Sequence, residues 1–329
     1  MRRTTALVSS VAVVAVLSAA LTGCAASPDD VTACEVALPS GNASSLVTAR
    51  GEVGSAPRVT IPAPLVSTSA QRTVLEEGEG LVARVGMTVD FDAAIYDGET
   101  GDLLMETEYD GAQGVRLRAG LMTSSAQEEP GALPQALVCA QPGQRFVLTT
   151  TAEDSGLNFA NTGVPADHTV VLVVDVQDVF LGKADGVNQL PQDGLPVVVT
   201  APDGTVGVTV PSGIEAPTSF REAAIKLGSG PKLAKGDLVV LQLASWSWPT
   251  GPNAKLSEKS STWDIGRTPD TIELTDEGDM ALPADLVDAL VGLPVGSQLL
   301  TVVAPAEGSN DATVFVIDIL GIQSAPLAK

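Results

Sequence analysis

Gly78-Glu-Gly80, followed by Gly86-Met-Thr-Val89, recurs 150 residues later as Gly228-Ser-Gly230 and Gly236-Asp-Leu-Val239. Self-similarity at a fixed spacing is the mark of a duplicated unit, and here it extends in both directions. Upstream, Val59-Thr-Ile-Pro62 answers Val208-Thr-Val-Pro211, and Val47-Thr-Ala49 answers Val199-Thr-Ala201. Downstream, Gln141-Pro-Gly143 answers Pro294-Val-Gly296, and Val173-Val-Asp175 answers Val316-Ile-Asp318. The last spacing has fallen to 143, so the second copy is 10 residues shorter between its glycine and its final strand. The reading is two homologous domains, 34–183 and 190–323, joined by a polar linker at 184–189 and followed by a tail at 324–329.

Composition agrees with two folded units. The 329 residues include 40 Asp+Glu against 18 Lys+Arg, a net charge of −22, with 44% apolar and 18% charged residues. That length and apolar content suffice for two cores. The acidity argues against nucleic acid as a partner, since phosphates demand a basic face. The single histidine, His168, excludes multi-histidine metal sites, and no cofactor is expected. Asp97-Gly-Glu-Thr-Gly-Asp102 lacks the ligand spacing of a calcium loop and reads as a solvated hairpin turn.

The first residues point to export. Arg2 and Arg3 precede an uncharged apolar run, Ala6 to Leu21, with the layout of a secretory signal and too short for a membrane-resident helix. It ends in Leu21-Thr22-Gly23-Cys24, which resembles the bacterial lipobox, so residues 1–23 read as a signal peptide, Cys24 as the lipidated residue, and 24–33 as a tether. A diacylglyceryl group supplies two chains, enough for stable anchoring at the extracytoplasmic face of the cell membrane. Signal removal leaves 16 cations against 40 anions, a balance of −24. Cys34 and Cys139 then remain, and either a disulfide or two free thiols fits them.

Within each copy the apolar period is two. Met87–Ile95, Val239–Trp248, Val170–Val176 and Val314–Leu320 read as strands punctuated by Gly and Pro. Only Leu133–Cys139 and Pro283–Val291 read as helical, the second with Pro283 at its first position and Gly292 just beyond its end. The fold class is α+β, each copy an antiparallel sheet with one short helix before its last two strands. Asp175 and Asp318 read as marking the solvent side of those last strands.

This order of elements, with Gly228–Leu243, Ala289–Gly296 and Ala312–Leu320 in the second copy, resembles the FKBP-type peptidyl-prolyl cis-trans isomerases, in particular the tandem lipoprotein form of actinobacteria. The first copy carries the resemblance through Gly78–Val89, Ala136–Phe146 and Val164–Val176. It implies two FKBP-like domains, each a half-barrel sheet wrapped around its helix, with an apolar groove between them for Xaa-Pro peptides. It also implies proline-containing polypeptides or exported clients as partners, and a monomer is expected.

The resemblance also locates groove positions. The indole of the groove floor falls at Leu286 and Leu133, the first-strand tyrosine at Leu243 and Ala93, and the flap tyrosine at Glu307 and Ser155. The late-strand phenylalanine is Phe315, with Leu172 in the first copy. Glu106 is a substitute carboxylate, while Leu282 and the flap residue Phe159 complete the candidate set. All three tryptophans, Trp246, Trp248 and Trp263, belong to the second copy. They read either as groove anchors that stack on a proline ring or, for the first two, as packing residues on one strand face. Two functions follow: an isomerase and folding factor, or a non-catalytic peptide-binding lipoprotein with a degenerate groove.

Overall fold

The long β-branched runs fold as central strands of antiparallel sheets in a computed structural model that describes residues 34–110, 114–125, 127–160, 162–251, 255–275, 282–305 and 309–323. Residues 1–23, Cys24 and the rest of the tether lie outside them, as do the acidic run 276–279 and the tail 324–329. Residues 35–329 form one unit. No helix among the described residues is long and apolar enough to cross a membrane.

In the first half, helix α1 (Asn42–Leu46) and a hairpin of β1 (Thr48–Arg50) and β2 (Arg58–Thr60) precede a six-stranded sheet. The sheet comprises β3 (Gln71–Glu76), β4 (Thr88–Asp97), β5 (Leu103–Glu106), β6 (Val115–Arg118), β7 (Arg145–Thr151) and β8 (Thr169–Phe180), with α2 (Ala132–Ala136) ahead of β7. The second half adds β9 (Val187–Asn188), a hairpin of β10 (Val197–Thr200) and β11 (Val206–Thr209), and then β12 (Arg221–Leu227), β13 (Leu238–Pro249), β14 (Ser257–Ser261) and β15 (Asp270–Glu273). It closes with α3 (Ala284–Leu290), β16 (Gln298–Val303) and β17 (Asp311–Ile322). The first sheet runs β3-β7-β8-β4-β5 with β6 also on β4; the second runs β12-β16-β17-β13-β14 with β15 also on β13. One strand order is thus used twice, in a structure of antiparallel sheets with few helices.

The repeated glycines mark a close approach of two turns. A Cβ on Gly78 would lie 2.5 Å from the Pro142 carbonyl oxygen, and one on Gly228 would lie 2.6 Å from the carbonyl carbon of Gly296. Both Gly-x-Gly turns therefore sit against the second recurring glycine loop, joined to it by Glu79 N–H to Pro142 O (2.9 Å) and Gly230 N–H to Val295 O (3.1 Å). Only a residue without a side chain fits there.

Both faces of each sheet are covered, which explains why β8 and β17 are apolar almost throughout. In the second half, α3 packs on the face of Leu241, Leu243, Leu299, Ile317 and Ile319. The opposite face, with Ala244, Leu300, Val314 and Val316, packs beneath the β10–β11 hairpin through Val206, Val198 and Val208. In the first half, Val147, Val171 and Val173 pack with Ala43, Val47 and Val59 of the α1 and β1–β2 layer. Alternation leaves Ala93, Leu148 and Leu172 on the other face.

Several expectations change here. Asp175 and Asp318 are not on a solvent side: both are fully buried, because the hairpin layer covers that face. Helix α1 lies outside the helical stretches read from periodicity; its five residues are too short to show a period. Helix α2 ends at Ala136, since Leu137 is its C-cap and Cys139 takes a left-handed φ of 68°. Helix α3 starts one residue after Pro283, which is its N-cap. Within the segment read as a linker, Val187–Asn188 pairs with β12, and Gly186 N–H donates to Gly296 O (2.9 Å).

The halves meet along the end of β8. Phe180 packs with Val240 and Leu320, and Leu181 N–H donates to Leu320 O (3.2 Å). Arg116 of β6 clamps Asp90 through two bonds (2.5 and 2.6 Å) and extends its remaining nitrogen to Thr271 of β15 and Pro269 O.

Candidate functional site

Strand register brings four of the groove candidates together. Leu243 pairs with Ile317 on β17, and its neighbour Leu299 on β16 shares their face. That face holds Leu282 and Leu286, both fully buried, as the floor. Phe315 and Phe220 pack against the same cluster while remaining only partly buried. Phe315 pairs with Ser245 on one side and Thr301 on the other. The Thr301 hydroxyl is buried without a hydrogen-bond partner. Neither Phe220 nor Thr301 was picked out from the sequence: Phe220 precedes its strand, and Thr301 is an ordinary β-former whose place beside Phe315 follows from register alone.

In the first half the equivalent positions carry other side chains. Ala93 pairs with Val174 as Leu243 pairs with Ile317, and Leu172 pairs with Ile95 and Leu148 as Phe315 pairs with Ser245 and Thr301. The helix residue Leu133 is buried. Ser155 is fully buried at the flap base, where its hydroxyl donates to Ala152 O (2.7 Å) and its carbonyl accepts from Leu133 N–H (2.9 Å). Phe159 is buried in the flap beside Val164 and Pro165, lining a cavity with them.

The three tryptophans do not belong to the groove. Trp246, Trp248 and Trp263 pack with Leu195, Val206 and Val302 on the hairpin side of the second sheet. Trp246 and Trp248 share the face of Ala244, and alternation aims that face away from Leu243. Glu106 is also displaced: it pairs with Ala94, one residue off Ala93, and so lies exposed on the opposite face from Leu172. The nearer carboxylate is no better placed, because Asp92 accepts from Thr107 and Gln177, with burial as the main cause of its raised pKa. Glu307 and Cys24 lie outside the described residues. Cys34 and Cys139 are each disulfide-bonded.

Beneath the hairpins, each half buries a polar cluster. Asp175 receives two bonds from the Arg145 guanidinium, both 2.5 Å, and one from Gly54 N–H (2.8 Å). Arg145 also donates to Gly51 O, Glu52 O and Ser55 O, fastening the β1–β2 turn to the sheet. Burial works to lower the Arg145 pKa, but the bond and charge of Asp175 outweigh it and leave it raised. At the matching place Asp318 accepts from Gln298 (2.7 Å) and from Ala184 N–H (2.8 Å), and burial raises its pKa against those bonds. These clusters stand on the far side of each sheet from its helix and hold layers together.

Among the described residues no group of three or more His, Cys, Asp or Glu is arranged to hold a metal. What the helix side of the second sheet offers is a leucine floor with two partly exposed aromatic rings, Phe315 and Phe220, beside it.

No protein-family model matches the chain, and no curated protein matches it. Among solved structures, the chain is similar to FKBP-domain proteins. The three FKBP domains of wheat FKBP73 align at 12% identity over 77% of this chain and 94% of that one, with a TM-score of 0.31. The N-terminal domain of FKBP42 from Arabidopsis thaliana aligns at 18% identity over 39% and 98%, with a TM-score of 0.29. FkpA from Escherichia coli aligns at 20% identity over 35% of this chain and 50% of its own, with a TM-score of 0.27.

Proposed function

We propose that the chain is an FKBP-like peptidyl-prolyl cis-trans isomerase and folding factor with two tandem domains, acting on Xaa-Pro bonds of exported polypeptides. The observation that carries this reading is the convergence of Leu243 and Leu282 with Leu286 of α3, with Phe315 partly exposed beside them. The sequence resemblance to FKBP-type isomerases joins it. The chemistry needs no nucleophile or metal. An Xaa-Pro bond turns over in tens to hundreds of seconds unaided, across a barrier of about 18–20 kcal/mol. A dry floor disfavours the planar, polar amide relative to the twisted one. Lipid on Cys24 would hold the protein at the extracytoplasmic membrane face.

A second reading, a non-catalytic peptide-binding lipoprotein, is favoured by one observation. All three tryptophans pack on the opposite face, leaving an aliphatic floor where the resemblance implies an aromatic one.

The test is a cis–trans assay on an Xaa-Pro tetrapeptide with the full chain and with Phe315→Ala. The isomerase reading expects acceleration above background, reduced roughly tenfold in the variant, or about 1.4 kcal/mol of barrier. Peptide binding without acceleration transfers the conclusion to the second reading. Absence of both removes the groove as the functional site.

A further inference from the structure

We infer that the outer edge of β5 is a docking strand for an extended polypeptide segment with an apolar centre and basic flanks. β5 ends the first sheet against β4, and β14 ends the second against β13. The two edges are built alike: Met105 pairs with Ile95 as Ser260 pairs with Ser245, and each pairing carries a register shift nearby. Their side chains are opposite in kind. β14 reads Ser257-Glu-Lys-Ser-Ser261, a charged and hydroxylated sequence of the sort that keeps an edge strand from recruiting another chain. β5 reads Leu103-Leu-Met-Glu106, with Leu103 47% and Met105 40% exposed.

What the edge can take follows from its atoms. Thr107 N–H donates to Ala93 O (3.0 Å), so alternation turns the main-chain N–H and C=O of Glu106 away from β4. No strand among the described residues pairs with that outer side. An open row of main-chain groups is matched by another extended chain. Met105 ends a cross-strand row with Ile95, Leu172 and Leu148, all apolar, where the second copy has Ser260, Ser245, Phe315 and Thr301. Leu103 pairs with Tyr96, on the other face from Ile95, so an added strand meets an apolar side chain on either face. The ends of the edge are acidic. Residues 97–110 hold six carboxylates and no Lys or Arg, and Asp102 and Glu106, both exposed, bracket the apolar three. Beyond them stand the exposed Glu108 and Glu99, the latter facing His168 (3.3 Å). That pattern repels a second copy, whose own acidic ends would meet these in an antiparallel pair, and attracts a segment with Lys or Arg at its ends. The edge belongs to the first half, apart from the Leu286 floor, and does not depend on the isomerase reading.

Calorimetric titration of the full chain tests it with a nonapeptide, a Val-Thr-Val-Thr-Val centre with two lysines at each end, against the same peptide with glutamates there. Neither contains proline, so neither is a groove substrate. Saturable binding of the lysine peptide, ten or more times tighter than the glutamate peptide, is expected, and added salt should narrow the gap. N-methylation of alternate residues in the lysine peptide, in at least one of the two frames, should weaken it tenfold by removing main-chain bonds. Glu106→Pro removes the outward N–H, which an edge strand tolerates, and should weaken it as much. Met105→Lys puts a charge on the apolar edge and should do the same, deciding the matter if the proline variant fails to fold. Sedimentation of the chain alone should show a monomer, and a dimer that Glu106→Pro dissociates overturns the proposal in favour of a second copy. No saturable binding, equal binding of the two peptides, or affinity unchanged by N-methylation in both frames or in folded variants also overturns it.

Discussion

Arg145 and Gln298 occupy the same place in their sheets, each opposite a fully buried aspartate, yet one is a cation and the other a neutral amide. Arg145 neutralises Asp175 and reaches three carbonyls of the hairpin turn above it. Gln298 shares Asp318 with the Ala184 N–H and reaches only Thr200 of β10. The strand order and the covering hairpin are the same. The difference teaches that this topology demands a polar fastener between sheet and hairpin but does not prescribe its charge.

The largest expected effect comes from breaking the charged fastener. Arg145→Met leaves Asp175 buried and unpaired and should destabilise the chain by about 3–5 kcal/mol in urea unfolding. The matched Gln298→Leu removes an uncharged donor from Asp318, with an expected cost of about 1–3 kcal/mol. Equal costs would mean that charge is not what separates the two halves.

A smaller effect tests how the halves lean on each other. A Cβ at Gly321 would stand 2.5 Å from the Phe180 ring, so Gly321→Ala should overpack the junction at a cost of about 1–3 kcal/mol. Adding Phe180→Ala removes the clash, and the pair should cost less than the sum of the singles. Strict additivity would place the strain elsewhere.

The smallest effect is in pH dependence. Burial raises the Asp318 carboxyl above its ordinary value of 3.8, so the folded state binds its proton more tightly than the unfolded chain does. The stability this contributes is fully present below the ordinary value and is lost as pH rises through the raised one. Asp318→Asn cannot titrate, so wild type should lose urea stability relative to the variant as pH rises across that window. Parallel curves would show that the carboxylate is not penalised by its surroundings.

The strands, the helix before the last two strands and the pairing of Leu243 with Ala93 and of Phe315 with Leu172 across the copies could all be read from residues. Each follows from spacing, which local chemistry and register both obey. The placement of Trp246 and Trp248 could not. Alternation says that they share a face, and it is silent on whether that face meets a helix or a hairpin. Glu106 failed for a related reason, since a one-residue offset in β5 pairing moves a side chain through the sheet. Asp175 and Asp318 failed because an aspartate in an apolar strand ordinarily means solvent, and here a distant hairpin had covered it.

The sequence alone determined that its glycine motifs recur 150 residues apart and that its long apolar runs are period-two strands. These are local or repeated patterns, and each copy carries its own evidence. Only the tertiary structure decided which face of each sheet receives the helix and which aromatic rings stay near the surface. Those outcomes depend on contacts between residues more than a hundred positions apart, where no periodicity reaches.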